Sequence, residues 1–307
     1  MKLGVVPTNE SLHHYIERYA ELIEEKSEGR IAAETYPGGA LGSIEGQIEN
    51  VQLGVQQLMA APSAFARGID VRYDVGDAPG LFEDLSHAFR SYQDEEFRER
   101  FLNLANDKGI TGVSMWVYGP TSFATRFPFN TLEDLRGKRI RVLATPLEAE
   151  AMRQVGATGV PMPFTELAVA MQNRSIDGVR SSYVGLVGIG AQSTASHLTL
   201  TDDGMIPVVA WVSTAFLESL PEDLQKVVLE VGRQVEQEMQ PIVEKTHERA
   251  MAVWKKENVQ IIELSRDARE ELMKKHREAG SRILASNDAT RELFEVMRRA
   301  AERHRPN

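Results

Sequence analysis

The residue types and spacing best suited to chemistry lie around Arg141. The segment Arg136–Val142 ends in alternating charged and apolar residues, the period of two that predicts a β-strand. An arginine at the end of such a strand can point into a cleft, where its planar fork binds a carboxylate through two hydrogen bonds. An ordinary surface arginine fits the same spacing, so the pattern by itself leaves both interpretations open.

Signatures of catalysis and of metal binding are missing from the chain. The sequence contains no G-x-S-x-G, no P-loop and no H-E-x-x-H motif. Cysteine is absent, which excludes disulfides, thiolate metal sites and cysteine nucleophiles. The pair Asp202-Asp203 fits either a hard cation or a solvated turn, and the seven histidines lack ligand spacing. We therefore expect no catalytic residues, no resident metal and no cofactor.

Composition and charge exclude several further classes. The 307 residues, 42% of them hydrophobic, are enough for about two domains. A formal net charge of −10 is not that of a nucleic-acid-binding protein, which normally presents a basic surface. No apolar run approaches the roughly 18–20 residues of a membrane span, so the chain is not expected to span a membrane itself.

The order of predicted elements indicates an α/β fold. Strands and helices alternate over the first 60 residues in a βαβαβ pattern, which predicts a largely parallel sheet. Further strands are predicted at Ile110–Tyr118 and Pro207–Thr214. A helical stripe then runs from Pro221 to about Glu257, and Pro241 inside it is expected to kink the helix. The opening Met1–Val6 predicts a strand, not a signal peptide, so the protein is either cytoplasmic or a mature exported form.

Several short segments occur in an order that matches a known family. In chain order they are Gly29–Ile31, Tyr36–Ser43, Val51–Gly54, Asn130–Val142, Gly156-Ala157, Pro161–Leu167, Ala170–Gln172, Ile176–Gly178 and Leu220–Gln225. The chain resembles the extracytoplasmic solute-binding proteins of TRAP transporters, of the DctP type. The segment Asn130–Val142 is the most specific match, and the resemblance spans nearly the whole length.

This resemblance implies an α/β, two-lobed periplasmic-binding-protein-like fold with a central cleft and a long helix, about 221–257, that spans both lobes. Lobe I would comprise 1–119 plus about 205–237, and lobe II about 120–204 plus about 238–307. The protein would be a non-catalytic periplasmic receptor whose signal peptide has been removed. It would bind a small organic acid in the interlobe cleft and deliver it to the membrane permease subunits of a TRAP transporter.

The resemblance also assigns ligand-binding roles. Arg141 matches the arginine that binds the ligand carboxylate in the family. The family's second arginine is replaced by Thr121, and its Glu-Asn-Pro motif by Arg180-Ser181-Ser182. Arg180 therefore either supplies the missing charge or points to solvent. The full set of candidate ligand-binding residues is Arg141, Trp116, Phe164, Ser181, Tyr183, Arg180, Glu45 and Trp211.

The remaining candidates have roles of their own. Trp116, at the end of its predicted strand, would form an apolar wall. Phe164 and Tyr183 begin predicted helices, whose N-terminal amide groups favour an anion. Glu45 either contacts ligand or stabilises the start of its own helix. Two alternatives stay open: a solute-binding protein of another transporter class, and an enzyme on a two-domain α/β scaffold, since fold alone does not decide function.

Overall fold

The chain forms nine strands and eleven α-helices within the residues that the structure, a computed structural model, describes: 1–8, 10–143 and 145–306, with all side chains except that of Thr165. The strands are β1 (Lys2–Gly4), β2 (Glu34–Tyr36), β3 (Leu58–Pro62), β4 (Ile110–Thr125), β5 (Arg139–Val142), β6 (Thr158–Pro161), β7 (Gly178–Ser181), β8 (His197–Ser213) and β9 (Gln260–Glu263). The helices are α1 (Ser11–Lys26), α2 (Ile44–Gln52), α3 (Leu85–Tyr92), α4 (Glu95–Leu102), α5 (Pro146–Gln154), α6 (Leu167–Gln172), α7 (Tyr183–Gly188), α8 (Thr214–Ser219), α9 (Glu222–Lys256), α10 (Arg266–Ser286) and α11 (Asp288–Arg303). The predicted α/β class is confirmed.

The chain divides into two units. The first comprises 1–73, 89–118 and 207–244, and the second comprises 74–88, 119–206 and the chain from 245 onward. Segment 74–88, which the sequence places in lobe I, packs within the second unit. That these units act as the lobes of a ligand-binding receptor stays a prediction.

The first unit is built on the βαβαβ pattern that the sequence predicts. β2 and β3 flank β1 in parallel, and β3 pairs antiparallel with the C-terminal part of β8. The apolar stripe of α1 is buried against this unit's core, including Leu12, Ile16 and Ile23. Ser43 caps α2, because its hydroxyl accepts the amide hydrogen of Gly46 at 3.2 Å.

The second unit contains β5, β6, β7 and β9 together with the C-terminal part of β4 and the N-terminal part of β8. β5 lies between β6 and β7 and is parallel to both, and β7 pairs antiparallel with the C-terminal end of β4. The N-terminal part of β8 pairs in parallel with β9. Apolar clusters lie on the two faces of β5 and β7: Ile140 and Val142 belong to one cluster, and Val179 belongs to the other.

Two strands are much longer than the sequence pattern predicts. The predicted strand at 110–118 continues to Thr125, and the one at 207–214 begins at His197. The boundary between the two units falls inside each of them. The sequence pattern of each strand is interrupted by residues that are rare inside strands, namely glycine, proline and aspartate. These residues are Gly119-Pro120 in β4 and Asp202-Asp203-Gly204 in β8.

The long helix α9 matches its predicted bounds closely. It runs from Glu222 to Lys256 as one helix with Pro241 inside it, and a unit boundary falls at 244. The kink expected at Pro241 stays a prediction. Acidic residues occupy its first turn and lysines its last, which suits the helix dipole at both ends. None of the helices in the described ranges is long and apolar enough to cross a membrane.

Candidate functional site

Arg141 is buried in the second unit. It lies on β5 opposite Val160 of β6 and Val179 of β7, and its side chain is 1% exposed. The interpretation of Arg141 as a surface residue is therefore wrong. An arginine is placed inside a protein at a high cost unless its charge and its hydrogen-bond donors find partners.

The guanidinium of Arg141 is incompletely paired. Its Nε and Nη2 both donate to the carbonyl oxygen of Met162, at 3.0 and 2.8 Å. Its Nη1 is buried and has no hydrogen-bond partner among the described residues. Burial lowers the pKa of Arg141 to about 10, and the negative charge of Glu148 opposes that shift. The group is thus still cationic near neutral pH, with one nitrogen free to donate.

The sheet face that carries Arg141 is otherwise apolar and aromatic. Residues opposite one another on neighbouring strands share a face, so Arg141 lies on the side of Val179. The apolar cluster that includes Val179 also contacts partly buried Met162, Phe164 and Tyr183. Two of the predicted ligand-binding residues, Phe164 and Tyr183, therefore pack into the cluster on the same side of the sheet as Arg141.

Phe164 and Tyr183 begin short helical segments, as predicted. Phe164 opens a 3-10 turn that leads into α6, and Tyr183 is the first residue of α7. The Tyr183 hydroxyl lies 2.9 Å from Nδ1 of His247. The backbone carbonyl oxygen of Tyr183 accepts from the indole N–H of Trp254 at 3.0 Å. Burial raises the pKa of Tyr183 to about 12, so it stays a neutral hydroxyl at physiological pH.

Arg180 occupies the opposite face of the same sheet. It follows Val179 on β7, so its side chain points away from the Arg141 side. It is 2% exposed, which excludes the solvent-facing interpretation. Its Nη1 donates to both oxygens of Glu148, its Nε and Nη2 donate to Asp203, and Nη2 also reaches the Thr121 hydroxyl at 3.2 Å.

Asp203 is the centre of this buried cluster. Its side chain is fully buried and accepts from the hydroxyls of Thr121 and Thr201 as well as from Arg180. Nδ1 of His276, also fully buried, lies 2.7 Å from its second oxygen. Although burial alone would raise the pKa of Asp203, the neighbouring Arg180 and His276 hold it well below its usual range. Asp203 is therefore ionised and is neither a solvated turn residue nor an evident cation ligand.

Glu148 reaches Arg180 from the first turn of α5. The hydroxyl of Thr145 caps that helix by accepting from the Glu148 amide at 3.1 Å. The carboxylates of Glu148 and Asp203 raise the pKa of Arg180 above its already high value. A cavity of about 10 Å³ adjoins this pair and is lined by Glu148, Arg180, Ser181 and Leu143, among others. A space of this size accommodates about one water molecule.

Ser181 and Glu45 have less distinctive surroundings. Ser181 is partly buried and lines the small cavity, and its carbonyl oxygen accepts from the Ser122 hydroxyl at 2.9 Å. Glu45 is exposed in the first turn of α2, where its charge suits the helix N-terminus. That position is enough to account for Glu45.

Trp116 and Trp211 belong to the first unit and differ in how their indole groups are paired. The Trp211 indole donates to the Tyr73 hydroxyl at 3.0 Å. Trp116 lies in the middle of β4, not at a strand end as expected, and stacks on Tyr15 with ring centroids 4.5 Å apart. Its indole nitrogen is buried and lacks a partner among the described residues. Of these two tryptophans, Trp116 therefore has an indole N–H that is still available to donate a hydrogen bond.

The sequence missed the carboxylates that pair with Arg180 and the histidine that contacts one of them. Glu148 and His276 belong to no recognised motif, and the pattern around Asp203 indicated only a cation ligand or a solvated turn. Glu148, Asp203 and His276 lie 32, 23 and 96 positions from Arg180 in the chain. A buried arginine needs carboxylates, and nothing in the local pattern indicates which of the 45 acidic residues supply them. Within the described ranges, the structure contains no group of three or more histidine or acidic side chains that could hold a metal ion.

Comparison with known proteins gives a consistent result. The model of the family described as "bacterial extracellular solute-binding protein, family 7" (DctP) matches residues 4–287. The C4-dicarboxylate-binding periplasmic protein DctP of Shewanella loihica is 25% identical over 211 residues, covering 69% of this chain and 62% of that protein.

Solved structures share the fold over the whole chain. A TRAP periplasmic solute-binding protein from Desulfovibrio salexigens, with bound orotic acid, superimposes with a TM-score of 0.92 at 23% identity, covering 99% of this chain and 98% of that one. Another, from Anaerococcus prevotii with bound D-glucuronate, gives 0.91 at 22% identity, covering 100% and 99%. The fold is therefore that of the TRAP periplasmic solute-binding proteins, as the sequence resemblance implied.

Proposed function

Because the chain belongs to the bacterial extracellular solute-binding proteins of family 7, the DctP family, we propose that it is a periplasmic receptor for a small organic acid. Arg141 anchors the carboxylate of that ligand. The proposed role extends to delivery of the ligand to the membrane permease subunits of a TRAP transporter. Export to the periplasm with removal of a signal peptide is part of the same proposal.

The observation that carries the proposal is the free Nη1 of Arg141. A buried cationic nitrogen without an acceptor is costly to the ligand-free protein. A carboxylate placed there restores a charge-assisted hydrogen bond in a site of low polarity, where such bonds are strong. The remainder of the guanidinium is held by the Met162 carbonyl, which fixes the direction in which Nη1 donates.

The neighbours of Arg141 suit a ligand with an apolar or sugar-like frame. Phe164 and Tyr183 contribute aromatic rings on the same side of the sheet, and the Tyr183 hydroxyl stays protonated at neutral pH. The solved relatives described above carry orotic acid and D-glucuronate, each a carboxylate on a ring. These ligands are therefore the first to test for this chain.

We propose a binding role without catalysis. The hydrogen bonds of Arg180, Asp203 and His276 immobilise charged groups of the second unit, as expected of residues with a structural role. The family to which the chain belongs is one of solute-binding proteins. Incubation with each bound ligand, followed by mass spectrometry, should recover it unchanged.

The direct test is a ligand screen by thermal shift at pH 7, followed by calorimetry on each hit. Orotate, D-glucuronate, D-galacturonate and C4-dicarboxylates form the panel, and the methyl ester or primary amide of each compound is its matched control. We expect at least one free acid to bind while its uncharged derivative does not. Equal binding of acid and amide would show that the carboxylate is not recognised.

A further inference from the structure

We propose that this site selects ligands carrying one carboxylate over ligands carrying two, because among the described residues Arg141 is the one buried cation with an unpaired nitrogen on its face of the sheet, and Glu148 repels a second carboxylate. The inference rests on the proposed function and deepens it by narrowing the ligand class. It distinguishes the two ligand types found among the relatives, the uronates with one carboxylate and the C4-dicarboxylates with two.

Arg180 is unavailable to a ligand in this arrangement. All three of its side-chain nitrogens donate to Glu148, Asp203 or Thr121. It lies on the sheet face opposite Arg141, and the adjoining cavity of about 10 Å³ has room for one water molecule but not for a carboxylate. To bind a ligand, Arg180 would have to leave two buried carboxylates without a partner, which is strongly unfavourable.

Glu148, whose two oxygens accept from Arg180, also acts on Arg141 through its charge. Its carboxylate raises the pKa of Arg141 against the larger, lowering effect of burial, which supports an electrostatic interaction between the two groups. A second ligand carboxylate placed near Arg141 would meet this same negative charge, and like-charge contacts are costly in a desolvated site. Glu148 therefore favours binding of one ligand carboxylate, because it helps to keep Arg141 charged. It disfavours binding of a second carboxylate by electrostatic repulsion.

The pairing of the buried arginines leaves one of them for an anion. Arg180 contacts the carboxylates of Glu148 and Asp203, whereas Arg141 donates only to the carbonyl oxygen of Met162 among the described residues. In the part of the chain that the structure describes, the buried side-chain nitrogens without a partner and able to carry charge are Arg141 Nη1 and His276 Nε2. His276 lies beside Asp203, on the Arg180 side.

Wild-type protein and matched ligand pairs give the first test. Succinamate and succinate share a C4 frame but carry one and two carboxylates, and the monomethyl ester of galactarate and galactarate itself form an equivalent open-chain C6 pair. Calorimetry at pH 7, where all these carboxylates are ionised, measures each dissociation constant. In every pair that binds, we expect the monocarboxylate to bind at least about tenfold more tightly, the effect of one unfavourable charge contact of about 1.4 kcal/mol.

Glu148→Gln tests the residue responsible. This change keeps the size of the side chain and one acceptor oxygen for Arg180 while it removes the charge. We expect the ratio of the dissociation constants of the dicarboxylate and the monocarboxylate to fall by at least about threefold in this variant. Glu150→Gln is the matched control, because Glu150 lies on the same helix but pairs with Arg153 and Arg282 at its outer surface, so its removal should leave the preference unchanged.

The outcomes separate this inference from the proposed function. If wild-type protein binds the dicarboxylate of a pair as tightly as the monocarboxylate, and Arg141→Ala abolishes both, the selection is overturned while the receptor function stands. If no carboxylate of either kind binds, the proposed function fails and the selection fails with it. An unchanged preference in a folded Glu148→Gln protein overturns the role of Glu148. If that variant does not fold, the ligand pairs on wild-type protein still decide whether selection exists.

Discussion

Arg141 and Arg180 lie on neighbouring strands of one unit and are about equally buried, but their guanidinium groups differ in the partners they have. Arg180 has two carboxylates and a hydroxyl as partners, whereas Arg141 has one carbonyl oxygen and a free Nη1. The surroundings of Arg180 raise its pKa, and those of Arg141 lower its pKa to about 10. The protein satisfies the guanidinium of Arg180 with its own carboxylates and leaves one nitrogen of Arg141 unpaired among the described residues.

This difference shows that burial alone does not identify a binding arginine. A buried arginine with a complete set of anionic partners is part of the folded structure, and breaking such a set is expected to unfold the protein before it affects any ligand. A buried arginine without an anionic partner is held in place by the rest of the fold, and its removal should cost the protein little stability. The predictions below test this separation.

The largest effect is expected for Arg180→Ala. Removal of one partner from a buried ionic cluster leaves the carboxylates of Glu148 and Asp203 uncompensated, so the free energy of unfolding should fall by about 3–5 kcal/mol. Urea denaturation monitored by circular dichroism measures this loss. Arg139→Ala, two positions from Arg141 on the strand next to β7, is the control, because its exposed side chain should contribute under about 1 kcal/mol. A loss below about 1 kcal/mol for Arg180→Ala would contradict the structural role of Arg180.

Arg141→Ala should affect the ligand and not the fold. We expect binding of an identified carboxylate to weaken by about 2–5 kcal/mol, the range for removal of one partner of a buried charge pair. The ligand-free protein should lose much less stability than the Arg180→Ala variant, because no carboxylate is stranded in it. Calorimetry and urea denaturation on the same preparation measure the two quantities. Undiminished affinity would show that Arg141 is not the anchor.

Arg141→Lys should have an intermediate effect. Lysine keeps the positive charge but lacks the planar fork that donates to Met162 and to the ligand at the same time. The expected loss of affinity is about 1.5–3 kcal/mol, the contribution of a hydrogen bond to a charged group. Affinity equal to that of wild type would indicate that charge, without geometry, suffices at this site.

The smallest effect is expected from mild acidification of the ligand-free protein. The pKa of Asp203 is depressed in the folded state, so its contribution to stability is complete above the ordinary value of 3.8 and is lost as pH falls below it. The slope from this one group is at most about 1.4 kcal/mol per pH unit. Urea denaturation between pH 5 and pH 3 should show a flatter profile in Asp203→Asn than in wild type. Arg141→Ala should keep the wild-type slope, since Arg141 has no carboxylate partner to protonate.

Much of the architecture follows from the sequence alone. The alternation of strands and helices in the first 60 residues and the helix from about 221 to 257 are strong periodic signals, and both match the structure. The long strands β4 and β8 were only half predicted. Their remaining halves contain polar residues, such as Thr121 and Asp203, whose partners come from distant segments, so no local pattern marks them as strand.

In the candidate site, too, some features follow from the sequence and others only from the tertiary structure. The sequence determined the family and singled out Arg141, because the motif around it is contiguous and specific. The tertiary structure decided that Arg180 is an internal ion-pair partner, a role that depends on Glu148 and Asp203 being brought to one face of β7. Side-chain direction along a strand follows from its period of two, but the charge found at the end of each side chain depends on which helices and strands pack there. That information resides in the three-dimensional arrangement and in no single stretch of the chain.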